Sequence, residues 1–190
     1  MIKEIKKRFL RAIKYIKESR NYIYIIIALF IISGIFGYLN ASRLTFLDLI
    51  IKQLLESTKD LPGFSLIRFI FLNNIQSAFY GFIFGIIFGI FSMFNALVNG
   101  LLIGYVMEKA VSSVGILQTL KLLPHGIFEL PAIFISLGLG LKLGTFVLSK
   151  KPLKELRRSF LEGLNTFFLI VLPLLIIAAI IEGLLITFFK

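Results

Sequence analysis

Eighteen residues from Tyr22 to Leu39, YIYIIIALFIISGIFGYL, carry no charged side chain. As a helix they extend about 27 Å, close to the roughly 30 Å of a bilayer's hydrocarbon layer. Four comparable blocks follow, over 74–94, 96–111, about 124–148 and 164–189. In hydrocarbon every backbone N–H and C=O must find its partner within the protein. Blocks of this length meet that condition as helices. The expected fold is therefore all-α, a polytopic helical membrane protein with about five transmembrane helices. Composition agrees. The chain is 58% hydrophobic and 16% charged, against about 45–50% and 25% for soluble domains, and its mean hydropathy is +0.95.

Residues 1–20 read differently from the rest. In MIKEIKKRFLRAIKYIKESR, Ile2, Ile5, Phe9, Ala12, Ile13 and Ile16 form one helical stripe, with lysines and arginines opposite. The pattern suits an amphipathic helix lying on an anionic membrane leaflet. A solvated helix packed on a partner is the alternative. Residues 21–190 form the expected single transmembrane domain. No small-residue cleavage site precedes the first block, so that block is expected to remain as a span. Residues 40–72 hold a short amphipathic helix, TFLDLIIKQLLES, and a turn, DLPGFS. They leave an interfacial or re-entrant segment open. SKKPLKELRRS reads as a basic connector, and Pro124 fits a first helical turn. Pro173 predicts a kink in the fifth span.

The net charge is +11. The cations flank the apolar blocks, so membrane topology accounts for them without nucleic acid. With five spans, thirteen lysines and arginines fall on the N-terminal side and seven on the other, Lys142 being inside a span. Such an excess predicts a cytoplasmic N-terminus in the cell membrane and an external C-terminus. The absence of cysteine excludes disulfides, thiolate metal sites and thiol nucleophiles. No Ser–His–Asp arrangement and no phosphate-binding loop is readable, so catalysis and a cofactor are not called for.

Small residues recur at four-residue spacing. Asn74, Ala78, Gly81, Gly85, Gly89 and Ser92 follow one another, then Ala96, Gly100, Gly104 and Glu108. The fourth block carries His125, Glu129, Ala132, Ser136, Gly140 and Gly144; the fifth carries Ala178, Ala179, Glu182 and Gly183. Small residues at i and i+4 let helix backbones approach closely in lipid. Gly81, Gly85, Gly89, Gly100, Gly104, Gly140 and Gly144 are thus expected to pack helices together, or to pack a second copy of the chain. Phe82 and Leu141 are expected to face lipid.

Polar groups cluster on these stripes. Asn73, Asn74, Glu108, His125, Glu129 and Glu182 are expected near the outer membrane face at similar depth. A charge at the bilayer centre costs at least about 2.5–3.5 kcal/mol, so such groups seek partners inside the protein. His125 and Glu129 share one helix face. Three readings stay open: a structural polar lock, an ion, proton or substrate site, and a metal site. A zinc centre wants three protein ligands, which His125, Glu129 and Glu182 could supply between them. Lys142, deep in the fourth block, is expected to snorkel toward the cytoplasmic interface.

FLNN before the second span, Asn99–Gly100 in the third, LPHGIFELPA…GLGLKLG in the fourth and Ile181–Gly183 in the fifth together resemble the stage II sporulation protein M family. The resemblance covers about residues 20–185. It carries over Asn73, Asn74, Asn99, Gly100, Pro124, His125, Gly126, Glu129, Glu182 and Gly183. It implies an all-helical integral membrane protein. It further implies a membrane scaffold for cell-envelope partner proteins, as the sporulation member serves two cell-wall-degrading partners, rather than a hydrolase. A transporter or channel with an outer-leaflet His/Glu site is the alternative.

Overall fold

The computed structural model describes residues 2–58, 61, 63–120 and 126–188. All regular structure among them is helical. Helix α1 (Ile2–Glu18) leads through Ser19 into α2 (Arg20–Leu39). A 3-10 turn and α3 (Leu47–Thr58) follow, then α4 (Gly63–Ile83), α5 (Ile90–Val114) and the short α6 (Ile116–Leu120). The chain ends with α7 (Gly126–Gly144), α8 (Pro152–Thr166) and α9 (Leu172–Phe188). Among the described residues, five helical stretches are long and apolar enough to cross a membrane: Arg20–Leu39, Gly63–Ile86, Ile90–Val114, Gly126–Leu148 and Pro152–Glu182.

Two span boundaries differ from the sequence reading. The second and third spans were expected at 74–94 and 96–111. The reversal instead lies at Phe88 and Gly89, which both take positive φ (53° and 72°). Glycine adopts this conformation freely, whereas a bulky aromatic rarely does. The Gly89 N–H closes the turn on the Gly85 carbonyl at 2.7 Å. The basic stretch expected as a connector is also helical. Pro152 begins α8, where its fixed φ suits the first turn. A five-residue π-helical stretch, Phe167–Val171, joins α8 to α9 without a break. It ends just before Pro173, whose ring crowds the carbonyl four residues back and favours a wider turn. The helix runs on through Pro173 into α9.

Helix α7 lies at the centre. From Ser136 to Leu141 every residue is buried. One side meets α2 and α5 through Ile26, Ala96, Ile133, Leu137 and Leu141. Another meets α4 and α9 through Ala78, Ala132, Phe167, Val171 and Leu175. A third cluster, Tyr15, Phe82, Leu139 and Leu143, joins the bundle to α1 and α8. Phe82 is fully buried and Leu141 is 6% exposed, so neither faces lipid as expected. Lipid-facing and core side chains are equally apolar in a membrane bundle, and composition does not separate them.

Helices α1 and α8 lie together on one side of the bundle. Arg158 Nη2 donates to Glu18 Oε2 at 2.8 Å, Arg8 Nε to Asn165 Oδ1 at 2.9 Å, and Asn165 Nδ2 to the Arg8 carbonyl at 3.1 Å. Ala12 and Tyr15 are buried here, whereas Ile5, Phe9 and Leu10 remain exposed. The apolar stripe of α1 is thus covered only in its second half. Burial raises the Tyr15 phenol from its ordinary value to about 12.

Candidate functional site

Glycine contacts hold the helices backbone to backbone. A Cβ built on Gly85 would land on the Gly140 backbone, 2.6 Å from its Cα. One on Gly104 would meet the Gly34 backbone, and one on Gly100 the Phe30 carbonyl and Ser33 Oγ. One on Gly144 would strike Gly89 and Gly85, and one on Gly81 the Leu137 side chain. Of the seven packing glycines named from the sequence, Gly89 differs in kind. It sits in the α4–α5 turn rather than on a helix face. Gly37 and Gly138 make equally close approaches, to the Leu101 backbone on α5 and to Ile23. They belong to the same pattern but lay off the stripes.

Hydroxyls reinforce these seams. Ser136 Oγ donates to the Ala78 carbonyl at 2.8 Å, and Ser92 Oγ to the Gly81 carbonyl at 2.7 Å. Both cross between helices, where lipid offers no competing partner. Tyr105, fully buried on α5, donates to Asp48 Oδ1 at 2.6 Å and so ties α3 to the bundle.

The acidic and amide groups named from the sequence sit on four helices: Asn73 and Asn74 on α4, Glu108 on α5, Glu129 on α7 and Glu182 on α9. His125 and Pro124 lie outside the described residues. Glu129 is half-buried in the first turn of α7, and Glu182 is half-buried near the end of α9. Glu108 accepts from Ser112 Oγ of its own helix at 2.9 Å. A cleft between α4 and α9 sets Phe64, Ile67, Arg68 and Phe71 against Ile176, Ala179 and Ile180. Glu182 therefore lies level with the first turns of α4. Asn73 lies more than two turns deeper. It also points away from α9, on the side of α4 opposite the Phe71, Ile75 and Phe79 row that packs near Phe167 and Leu175. The second span begins at Gly63 rather than at Asn74, which moves both asparagines toward mid-membrane. No group of three His, Cys, Asp or Glu side chains among the described residues could hold a metal ion.

Amides gather elsewhere, between α4 and α5. Asn95 Nδ2 donates to Ser77 Oγ at 3.1 Å, and Asn99 Nδ2 to Asn95 Oδ1 at 2.8 Å and to the Asn95 carbonyl at 2.9 Å. Asn95 is hidden in the sequence because it falls between the expected second and third spans, and Ser77 because it lies off the small-residue stripe. A boundary at Gly89 places Asn95 and Asn99 on one face of α5, at i and i+4. Lys142 takes a further polar role. Its Nζ donates to Ser19 Oγ at 3.1 Å and sits 4.0 Å from the centre of the Tyr15 ring. The ammonium reaches the α1–α2 junction and is held there by a cation–π contact.

Residues 26–185 match the family model described as Stage II sporulation protein M. The chain belongs to the stage II sporulation protein M family. No curated protein and no solved structure matches it. Membership and the five apolar helices point to a multi-pass membrane protein. In this family member, the contacts of Gly81, Gly85, Gly140, Gly144 and Ser136 gather on α7, the helix that also carries the motif residues Gly126 and Glu129.

Proposed function

We propose that this protein is a non-enzymatic membrane scaffold that assembles partner proteins of the cell envelope, with its basic α1–α8 face in the cytoplasm. The observation that carries this reading is the packing of α7. Its mid-section is enclosed by backbone contacts at Gly81, Gly85 and Gly140 and by Phe82, Leu137, Leu139 and Leu143, each 1% exposed or less. A transporter must open a path past such a centre. Glycine seams at van der Waals distance resist that motion, because close-packed interiors deform little. A fixed bundle suits a protein that holds others in place.

The test is co-isolation. Full-length protein cross-linked in native membranes should recover cell-wall hydrolases of the same cell, and Gly85→Leu should lose them. Proteoliposomes that move ions or solutes in a Glu182-dependent manner would overturn the scaffold reading. Reporter fusions at the two ends should give opposite sides, with the N-terminus inside.

A further inference from the structure

Near the middle of the 24-residue span Gly63–Ile86, three carboxamides follow closely: Asn73, Asn74 and Gln76. Asn73 and Gln76 are exposed and Asn74 is half-buried. None of the three makes a side-chain hydrogen bond among the described residues. Asn99, across the seam, shows the local alternative: its amide nitrogen bonds the carbonyl four residues back, and its Oδ1 accepts nothing among the described residues. Asn73 and Gln76 do not take that route. In hydrocarbon a polar group without a partner is costly, so these positions ask for a cover that the described residues of one copy do not supply.

The exposed face has a definite chemistry. Asn73, Gln76 and Tyr80 lie at i, i+3 and i+7, on one side of α4. Tyr80 is 52% exposed and leads into a row of rings, Tyr80 to Phe84 at 5.9 Å and Phe84 to Phe91 at 5.6 Å, which crosses to α5. No charged residue occurs between Arg68 and Glu108. A carboxamide carries donors and an acceptor on one group, and a phenol does the same. Each can pair with its own copy across a two-fold axis, and no like charges meet there. Transmembrane amides hydrogen-bond across helices in this way, and a two-fold interface uses the same patch twice.

We infer that the α4 face formed by Asn73, Gln76 and Tyr80, continued by Phe84 and Phe91, is a homodimer interface within the membrane. Its occupant is a second copy of this chain. The inference rests on the membrane-spanning reading and not on the scaffold role, so loss of hydrolase capture alone leaves it standing.

The natural chain has no cysteine, which makes single-cysteine cross-linking clean. Gln76→Cys and Tyr80→Cys, oxidised in native membranes, should give a disulfide-linked species of twice the chain mass. Ile32→Cys, 64% exposed on α2, should give at least tenfold less. In the Tyr80→Cys background, Asn73→Leu with Gln76→Leu should lower dimer at least tenfold. These leucines replace exposed groups in lipid, and unchanged thermal unfolding of the monomer in detergent checks that they leave it folded. Equal cross-linking at Gln76→Cys and Ile32→Cys would overturn the inference. So would Tyr80→Cys dimers indifferent to the leucines, or linkage only to a protein of another mass. A hydrophilic maleimide that labels Gln76→Cys as fast as exposed Ser42→Cys would show a water-lined path instead, and would also overturn it.

Discussion

Helix α5 has two seams, and they are built from opposite materials. Toward α2 it offers Gly100 and Gly104, which let Phe30, Ser33 and Gly34 come within backbone contact. Toward α4 it offers Asn95 and Asn99, which bond Ser77 and one another. The first seam leaves no room for a methyl group. The second stands open at its edge, and the neighbouring amides of α4 look outward. Shape alone holds a glycine seam, because lipid gives helices no hydrophobic reason to associate. Hydrogen bonds hold an amide seam, and their leftover capacity reaches beyond the chain. One helix can thus be sealed to the bundle on one side and remain available on the other.

Substitutions at the two seams should separate these materials. The largest effect is expected at Gly104→Leu, where the new side chain would occupy the Gly34 backbone. Overpacking typically costs about 1–3 kcal/mol and more where backbone must move, so loss of cooperative thermal unfolding in detergent is the expected result. Gly63, where an added methyl group would meet nothing within 4 Å, should accept alanine without change. Next comes Phe82→Ala, at about 3–5 kcal/mol for a buried phenylalanine. A loss below about 1 kcal/mol would return Phe82 to the lipid surface. Asn95→Leu should cost less, about 0.6–1.7 kcal/mol, the range for interhelical hydrogen bonds in membranes. If it matched Gly104→Leu, the contrast between the seams would fail.

The smallest effect at neutral pH lies outside both seams. Tyr15 is raised to about 12 by burial, whereas an exposed phenol ionises near 10. Its neutral form is favoured in the folded state, so its contribution is fully present below about pH 10 and is lost as pH rises toward 12. Tyr15→Phe should flatten that alkaline loss and leave stability at pH 7 nearly unchanged. Unfolding midpoints across pH 7–12 provide the check.

The five spans and the close approaches of Gly85, Gly104 and Gly140 were legible because length, apolarity and four-residue spacing are local properties. The α4–α5 reversal was not. Phe88 is no turn former, and Gly81, Gly85 and Gly89 keep their spacing straight through the bend. A stripe of glycines looks the same whether its last member packs a helix or ends one. Helix α8 was hidden by its charge, which reads as a loop until its buried face, Ser159, Gly163 and Thr166, is set against the bundle. Phe82 and Leu141 could not be placed because both sides of a membrane helix are apolar. The boundary expected for the second span also set Asn73 and Asn74 at its mouth, whereas a span beginning at Gly63 sets them near its middle.

The unbroken passage from α8 through the π-helical stretch into α9 has a mechanical consequence. Most spans are joined to surface elements by loops, which absorb twist. Here a surface helix and a span share one continuous hydrogen-bonded rod. Torque applied to α8, for example by displacing α1 from Arg158 and Asn165, has no loop in which to dissipate. It passes instead to Phe167, Val171 and Leu175, which are buried in the bundle, so the core itself fixes the direction in which the surface helix leaves the span.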